Sequence, residues 1–134
     1  ITASRLRVEQ SPDASTKVSG LKEPFVLQGL KDAIEENFKT KHSPAEYADM
    51  LNISAKALAK ITRSHFNKTL TNMIAERIVI EAKRELYLTS KPVKSIAYEL
   101  GFNDEFYFSR FFKNNAEVSP QVYRDTVGFA RAEV

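Results

Sequence analysis

From Phe25 onward the apolar residues fall at helical spacing. Leu27, Leu30, Ile34 and Phe38 line one side of about four turns, with Asp32, Glu35 and Glu36 on the other. This predicts a helix that ends near Lys39–His42. Ser43-Pro44-Ala45-Glu46 announces the next: a Ser cap, a Pro at the first helical position, and a Glu three residues after the cap. That helix runs to Leu51. Asn52-Ile53 reads as a tight turn, and Ser54 caps a helix reaching about Phe66. Beyond a break at Lys68-Thr69, Leu70 to Leu88 forms a long helix. Its Ile74, Ala75, Ile78, Val79, Ala82 and Leu86 spread over a wide face. Pro92 punctuates, Val93 to Leu100 makes a short helix, and Gly101 supplies the positive φ of a sharp turn. A helix from about Asp104 to Ala116 and a short one opened by Ser119-Pro120 complete the chain. The pattern therefore predicts seven helices and an all-α fold. Residues 1–24, with four Ser, two Pro and no sustained period, read as a tail or inter-domain linker. Residues 25–128 read as one domain and 129–134 as a C-terminal tail.

The chain matches itself at a spacing of about 50. Ala48, Leu51 and Ile53 correspond to Ala97, Leu100 and Phe102. Leu58, Ile61 and Thr69 correspond, one residue further on, to Phe108, Phe111 and Ser119. The second copy thus carries one extra residue in or just after its turn. Each copy has a small residue where a second helix must cross closely. An apolar residue stands before it (Tyr47, Ile96) and another three after it. Asn52 or Gly101 redirects the chain, and Ile53 or Phe102 plugs the corner. These are the requirements of a helix-turn-helix, about 44–66 in the first copy and 93–116 in the second, with the helix over 70–88 between them.

Composition narrows the function. The 134 residues contain no Cys, which removes disulfide scaffolds, Cys-ligated zinc and thiol catalysis, and fits a reducing compartment. The glycines stand at 20, 29, 101 and 128, so no Gly-rich phosphate loop can be written. No apolar run approaches membrane-spanning length, and the sequence shows no basic-then-apolar pattern of the secretory kind, so neither a span nor secretion is expected. A first residue of Ile rather than Met suggests a fragment of a longer protein. With two His and no HExxH, no metal is expected; no cofactor and no catalytic constellation can be argued either.

The net charge of +3 is small, but its distribution is uneven. Met50–Ala75 holds Lys56, Lys60, Arg63 and Lys68 and no acid; Phe106–Ala116 holds Arg110 and Lys113 and no acid. At about 100° per residue, Lys56, Lys60, Arg63 and Asn67 share one narrow face, with Leu58, Ile61 and His65 opposite, toward the core. In the second copy Phe108, Phe111 and Phe112 define the core face. Phe106, Arg110 and Lys113 lie on the far side, with Ser109 beside them. Such faces suit DNA, with Phe106 against a thymine methyl and Arg110 at a guanine edge or a phosphate. They also suit a plainly solvated helix, or a Phe106 packed on a neighbouring helix.

The stretch Ile96-Ala97-Tyr98-Glu99-Leu100-Gly101-Phe102-Asn103-Asp104-Glu105-Phe106-Tyr107-Phe108-Ser109-Arg110-Phe111-Phe112-Lys113, followed by Ser119-Pro120-Gln121-Val122-Tyr123-Arg124, closely resembles the signature of the AraC/XylS family of bacterial transcription regulators. Arg77 and Glu81-Ala82-Lys83-Arg84 resemble its central helix, and Tyr47–Ser54 its first helix-turn-helix. The match covers about residues 27–125. The resemblance implies a DNA-binding domain with two helix-turn-helix subdomains. It aligns Lys56, Ala59 and Lys60 with base-reading positions of the first recognition helix, and the cap Ser54 and the basic Arg63 join them as candidate DNA contacts. In the second it aligns Glu105, Phe106, Ser109 and Arg110 with base-reading positions, and Asn103 and Lys113 are the neighbouring candidate contacts. It further implies an N-terminal sensor domain in the full-length protein, RNA polymerase as a partner, and residence in the bacterial cytoplasm at the nucleoid. Asn67 and Glu117 stand where the family usually has Gly. Asn tolerates a left-handed backbone and Glu does so poorly, which implies a differently shaped end to the second recognition helix. Thr62 replaces a frequent Phe, and Ala59 a longer polar reader.

The expectation is a regulator of promoter DNA, acting as an activator. A helix of about 28 Å over 70–88 would set two recognition helices into adjacent major grooves, which recur about every 34 Å. The alternative is a helical interaction module whose basic faces bind an acidic protein. An enzyme is not expected.

Overall fold

The computed structural model describes residues 12–127, with side chains from Pro24 on. In order these form α1 (Pro12–Asn37), α2 (Pro44–Met50), α3 (Ala55–Phe66), α4 (Leu70–Leu88), α5 (Val93–Glu99), α6 (Glu105–Ala116) and α7 (Pro120–Val127). Seven helices and no strand are present among the described residues, as the periodicity requires. The helical boundaries from α2 onward fall within a residue or so of expectation, apart from a longer α7. The start of α1 does not. Residues 12–24, expected as part of a tail, are helical, so α1 begins thirteen residues before Phe25. Sequence pattern missed this because the segment has no apolar stripe to mark a buried face. The expected C-terminal tail over 129–134 and residues 1–11 lie outside the described residues.

The chain divides into two compact units. One takes α1 as far as Glu35, together with Ser43–Thr71; the other takes Glu36–His42 and the chain from Asn72 on. In the first unit Leu30, Ile34, Tyr47, Ala48, Leu58, Ile61, Thr62 and Leu70 are buried. A capping box opens α2: Ser43 Oγ accepts the Glu46 N–H at 3.3 Å and Glu46 Oε1 accepts the Ser43 N–H at 3.2 Å. Thr62 fills the core place that spacing gave to His65, which is exposed. The Thr62 hydroxyl donates to the Ala59 carbonyl at 3.0 Å, so its burial leaves no donor stranded.

The second unit is built on aromatic side chains. Phe102 lies 5.2 Å from Phe108, 5.1 Å from Phe111 and 5.0 Å from the His42 ring, centroid to centroid. Phe112 joins Phe108 at 6.1 Å and Tyr123 at 5.9 Å. His42 Nε2 also bonds the Leu100 carbonyl at 2.9 Å, tying the chain before α2 to the turn after α5. Gly101 adopts φ +91°, and a Cβ there would collide with the Lys39 carbonyl oxygen. Arg124 of α7 fastens the end of α4. Its guanidinium donates to the Leu86 carbonyl at 3.2 Å, the Thr89 carbonyl at 3.0 Å and the Lys91 carbonyl at 2.6 Å. The Leu86 carbonyl in the last turn of α4 and the Thr89 and Lys91 carbonyls in the chain that follows are all served by one rigid planar fork, which a Lys cannot imitate. Arg124→Ala is therefore expected to destabilise by roughly 2–4 kcal/mol, with Arg124→Lys failing to restore it, as read by chemical denaturation.

Tyr47 is fully buried. Burial, reinforced by the neighbouring Glu46 carboxylate, pushes its phenol from 10.0 up to about 12. The folded chain then holds this proton more tightly than the unfolded chain does. Its contribution is present in full below about pH 10 and is lost as the pH rises toward 12. Thermal melts between pH 9 and 11.5 should fall more steeply for the wild type than for Tyr47→Phe; equal slopes would remove Tyr47 as the cause.

Candidate nucleic-acid interface

The two copies make their turns by the same hydrogen bonds. In the first, the Ile53 N–H reaches the Ala48 carbonyl at 3.1 Å and the Asn52 N–H the Asp49 carbonyl at 3.1 Å. In the second, Phe102 reaches Ala97 at 2.9 Å and Gly101 reaches Tyr98 at 3.0 Å. The left-handed positions are Asn52 (φ 57°) and Gly101 (φ 91°). The recognition helices then start on side-chain caps. Ser54 Oγ accepts the Ala57 N–H at 3.0 Å, and Asp104 Oδ1 accepts the Phe106 N–H at 2.9 Å. The turns match at an offset of 49 and the caps at 50, which places the extra residue of the second copy at Asn103.

Past the caps, the offset of 50 pairs Lys56 with Phe106, Ala59 with Ser109, Lys60 with Arg110, and Arg63 with Lys113. Lys56, Ala59, Lys60 and Arg63 are all exposed on α3, and so is the cap Ser54. The Ser54 oxygen is engaged with the backbone, which leaves its hydroxyl proton to donate outward. On α6, Phe106, Arg110 and Lys113 are exposed, Glu105 and Ser109 are half-buried, and Asn103 is exposed ahead of the cap. Each copy thus gathers its own predicted residues on one side of its second helix. α3 contains no acid and α6 only Glu105, whose place in the first turn favours the helix dipole. Phe106 is 72% exposed, so it does not pack on a neighbouring helix. Phe111 is half-buried, leaving Phe108 and Phe112 as the fully buried anchors of α6.

Tyr107 was not legible as a site residue. It stands beside Phe106 and is 55% exposed. Its ring rests edge-on against Phe102 at 5.7 Å, and the Arg110 guanidinium lies 6.0 Å from its centroid. The ring gives Arg110 a cation–π support on the exposed side of the helix. In the run Phe106-Tyr107-Phe108 periodicity separates only the buried member, and says nothing of which aromatic backs which cation. Among the described residues no group of three or more His, Asp or Glu is placed to hold a metal ion, and no helix is long and apolar enough to cross a membrane.

The ends of the two helices correct another expectation. Asn67 (φ 56°) and Glu117 (φ 73°) are both left-handed, and their N–H groups close on the Arg63 and Lys113 carbonyls at 3.1 and 2.8 Å. Glu117 therefore gives α6 the same ending that Asn67 gives α3. The hydrogen bond and the packing beyond it hold a backbone that Glu by itself disfavours.

A family model described as a helix-turn-helix domain matches residues 47–126. The chain is 30% identical to the raffinose operon transcriptional regulatory protein RafR of Pediococcus pentosaceus, over 71% of this chain and 34% of that protein. It is 31% identical to the HTH-type transcriptional activator RhaS of Mannheimia succiniciproducens, over 68% of this chain and 34% of that protein. The chain spans about a third of the length of these curated relatives. Among solved structures, it is similar to the C-terminal domain of AraT, a response regulator from Geobacillus stearothermophilus. There the TM-score is 0.73 at 25% identity, covering 79% of this chain and 88% of that one.

A left-handed L-residue costs roughly 1–2 kcal/mol, part of which glycine returns through its freer unfolded chain. Glu117→Gly is accordingly expected to raise Tm by about 2–5 °C. An unchanged or lower Tm would mean that the Glu117 side chain stabilises the cap.

Proposed function

This chain belongs to the AraC/XylS family of helix-turn-helix transcription regulators, a family of DNA-binding proteins rather than enzymes, and on that premise we propose that it binds promoter DNA by placing α3 and α6 in adjacent major grooves. The observation that carries this reading is the repeat of the exposed face. Two helices with equivalent caps present Lys56, Lys60 and Arg63 in one copy and Phe106, Arg110 and Lys113 in the other. A duplex repeats its groove every helical turn, so a tandem protein can meet it with the same construction twice. α4, which runs in sequence from the first copy to the second, has 19 residues and a length of about 28 Å. That is shorter than the groove repeat of about 34 Å, and bending of the duplex toward the protein makes up the difference.

Within each groove the residues divide by chemistry. Arg63 and Lys113 neutralise phosphates and release counterions, which supplies salt-dependent affinity. Ser54 and Asn103, at the starts of the two helices, fix register by donating to backbone oxygens. Lys56, Ala59 and Lys60 on α3 and Glu105, Phe106, Ser109 and Arg110 on α6 face the base edges, where Arg and Lys suit guanine and Glu suits cytosine N4. The full-length protein would couple this domain to an N-terminal sensor domain and recruit RNA polymerase as an activator in the bacterial nucleoid; the named activator RhaS among its relatives supports that direction.

Selection of a duplex from random sequence, followed by mobility-shift titration over a salt series, tests the reading. Lys60→Ala and Arg110→Ala should each weaken binding roughly 5- to 100-fold, and Lys113→Ala should flatten the salt dependence by about one counterion. Binding that ignores salt and both substitutions, with capture of an acidic protein instead, would replace this function by the interaction module.

A further inference from the structure

The equivalent positions of the two recognition helices are not chemically equivalent. Lys56 on α3 corresponds to Phe106 on α6, and this is the largest difference between the two exposed faces. Phe106 leaves most of its ring in water, and the residues that follow on its face are Arg110, one turn on, and Lys113. An apolar protein partner would have to strip water from those cations to reach the ring, at a cost that burial of one Phe does not recover. A DNA major groove imposes no such conflict. Its phosphates take the cations, and it contains one apolar group, the 5-methyl of thymine.

Resting on the DNA-binding reading above, we infer that Phe106 is a specificity-determining residue that selects a thymine by its 5-methyl group, with Arg110 reading a guanine close by. Four residues along a helix rise about 6 Å, against about 3.4 Å per base step, so the thymine and guanine lie within about two base pairs of each other. Tyr107 supports the second contact: its ring lies beneath the Arg110 guanidinium and is itself anchored on Phe102, which limits the directions the guanidinium can take. Lys56 in the equivalent place on α3 is a flexible point charge with no apolar tip, so it has no means of sensing a methyl.

Deoxyuridine differs from thymidine only by that methyl, so it isolates the contact. In the duplex selected by the whole chain, each thymine is replaced singly by deoxyuridine and binding is measured by fluorescence anisotropy. One position is expected to lose about fourfold in affinity, the effect of one buried methyl, with wild type. The same replacement should be neutral with Phe106→Ala. A guanine within about two base pairs of it should be sensitive to 7-deazaguanine in the wild type and insensitive in Arg110→Ala. Phe106→Lys, which copies the first repeat, should abolish thymine discrimination and steepen the salt dependence by about one counterion. Because Phe106 is exposed, these variants should melt with the wild type, which separates lost recognition from lost folding. Salt-dependent binding in which every deoxyuridine is neutral, or discrimination that survives in Phe106→Ala, overturns this inference and leaves the DNA-binding function standing. A chain that selects no duplex overturns both.

Discussion

The turn between paired helices governs everything built above it. In each copy a left-handed residue, Asn52 or Gly101, reverses the chain. The N–H of the next residue then bonds a carbonyl five positions back, on a buried alanine. The alanine allows the second helix to cross close to the first, and the hydrogen bond fixes the angle at which it leaves. A recognition helix is useful only if its exposed face points away from its own core. That direction is set at this turn. At Gly101 the constraint is steric as well as conformational, because the Lys39 carbonyl occupies the space where any side chain would begin.

The two copies reach one geometry with different cores. Tyr47 and Thr62 in the first stand where Ile96 and Phe112 stand in the second. Tyr47 carries a phenol and Thr62 a hydroxyl into the interior. The Thr62 hydroxyl is satisfied by the carbonyl of Ala59 in its own helix. The second unit instead stacks Phe102, Phe108, Phe112 and Tyr123 in succession. Aromatic edges and faces define relative orientation more narrowly than aliphatic contacts do. The helix proposed to discriminate sequence is thus mounted on the more directional core.

Charge follows the same division. The whole chain's net charge of +3 conceals two basic faces, with no acid on α3 and only Glu105 on α6. Several acidic side chains are occupied elsewhere. Glu81 lies between Arg77 at 3.5 Å and Arg84 at 3.3 Å, and Lys91 joins Glu85 at 3.1 Å to Glu99 at 3.0 Å.

Local interactions explain what could be read from the residues in order. Helical periods, the Ser43 capping box, the Ser54 cap, the repeat at about 50 and the basic stripe of α3 all depend on residues within a turn or two of each other. Those distances are fixed by the helix itself. The rest depended on partners far along the chain. His65 and Thr62 both lie near the inward side of α3, and only the elements packed against α3 decide that Thr62 is covered and His65 is not. Glu117 adopts a backbone its side chain disfavours because the Lys113 carbonyl and the chain beyond require it. Arg124 binds carbonyls 33–38 residues earlier, and Phe106 is exposed because no other element covers it. Sequence therefore determined which helices form and which residues share a face. Tertiary structure decided which of those faces is left exposed, because burial is a property of what comes together and not of any one segment.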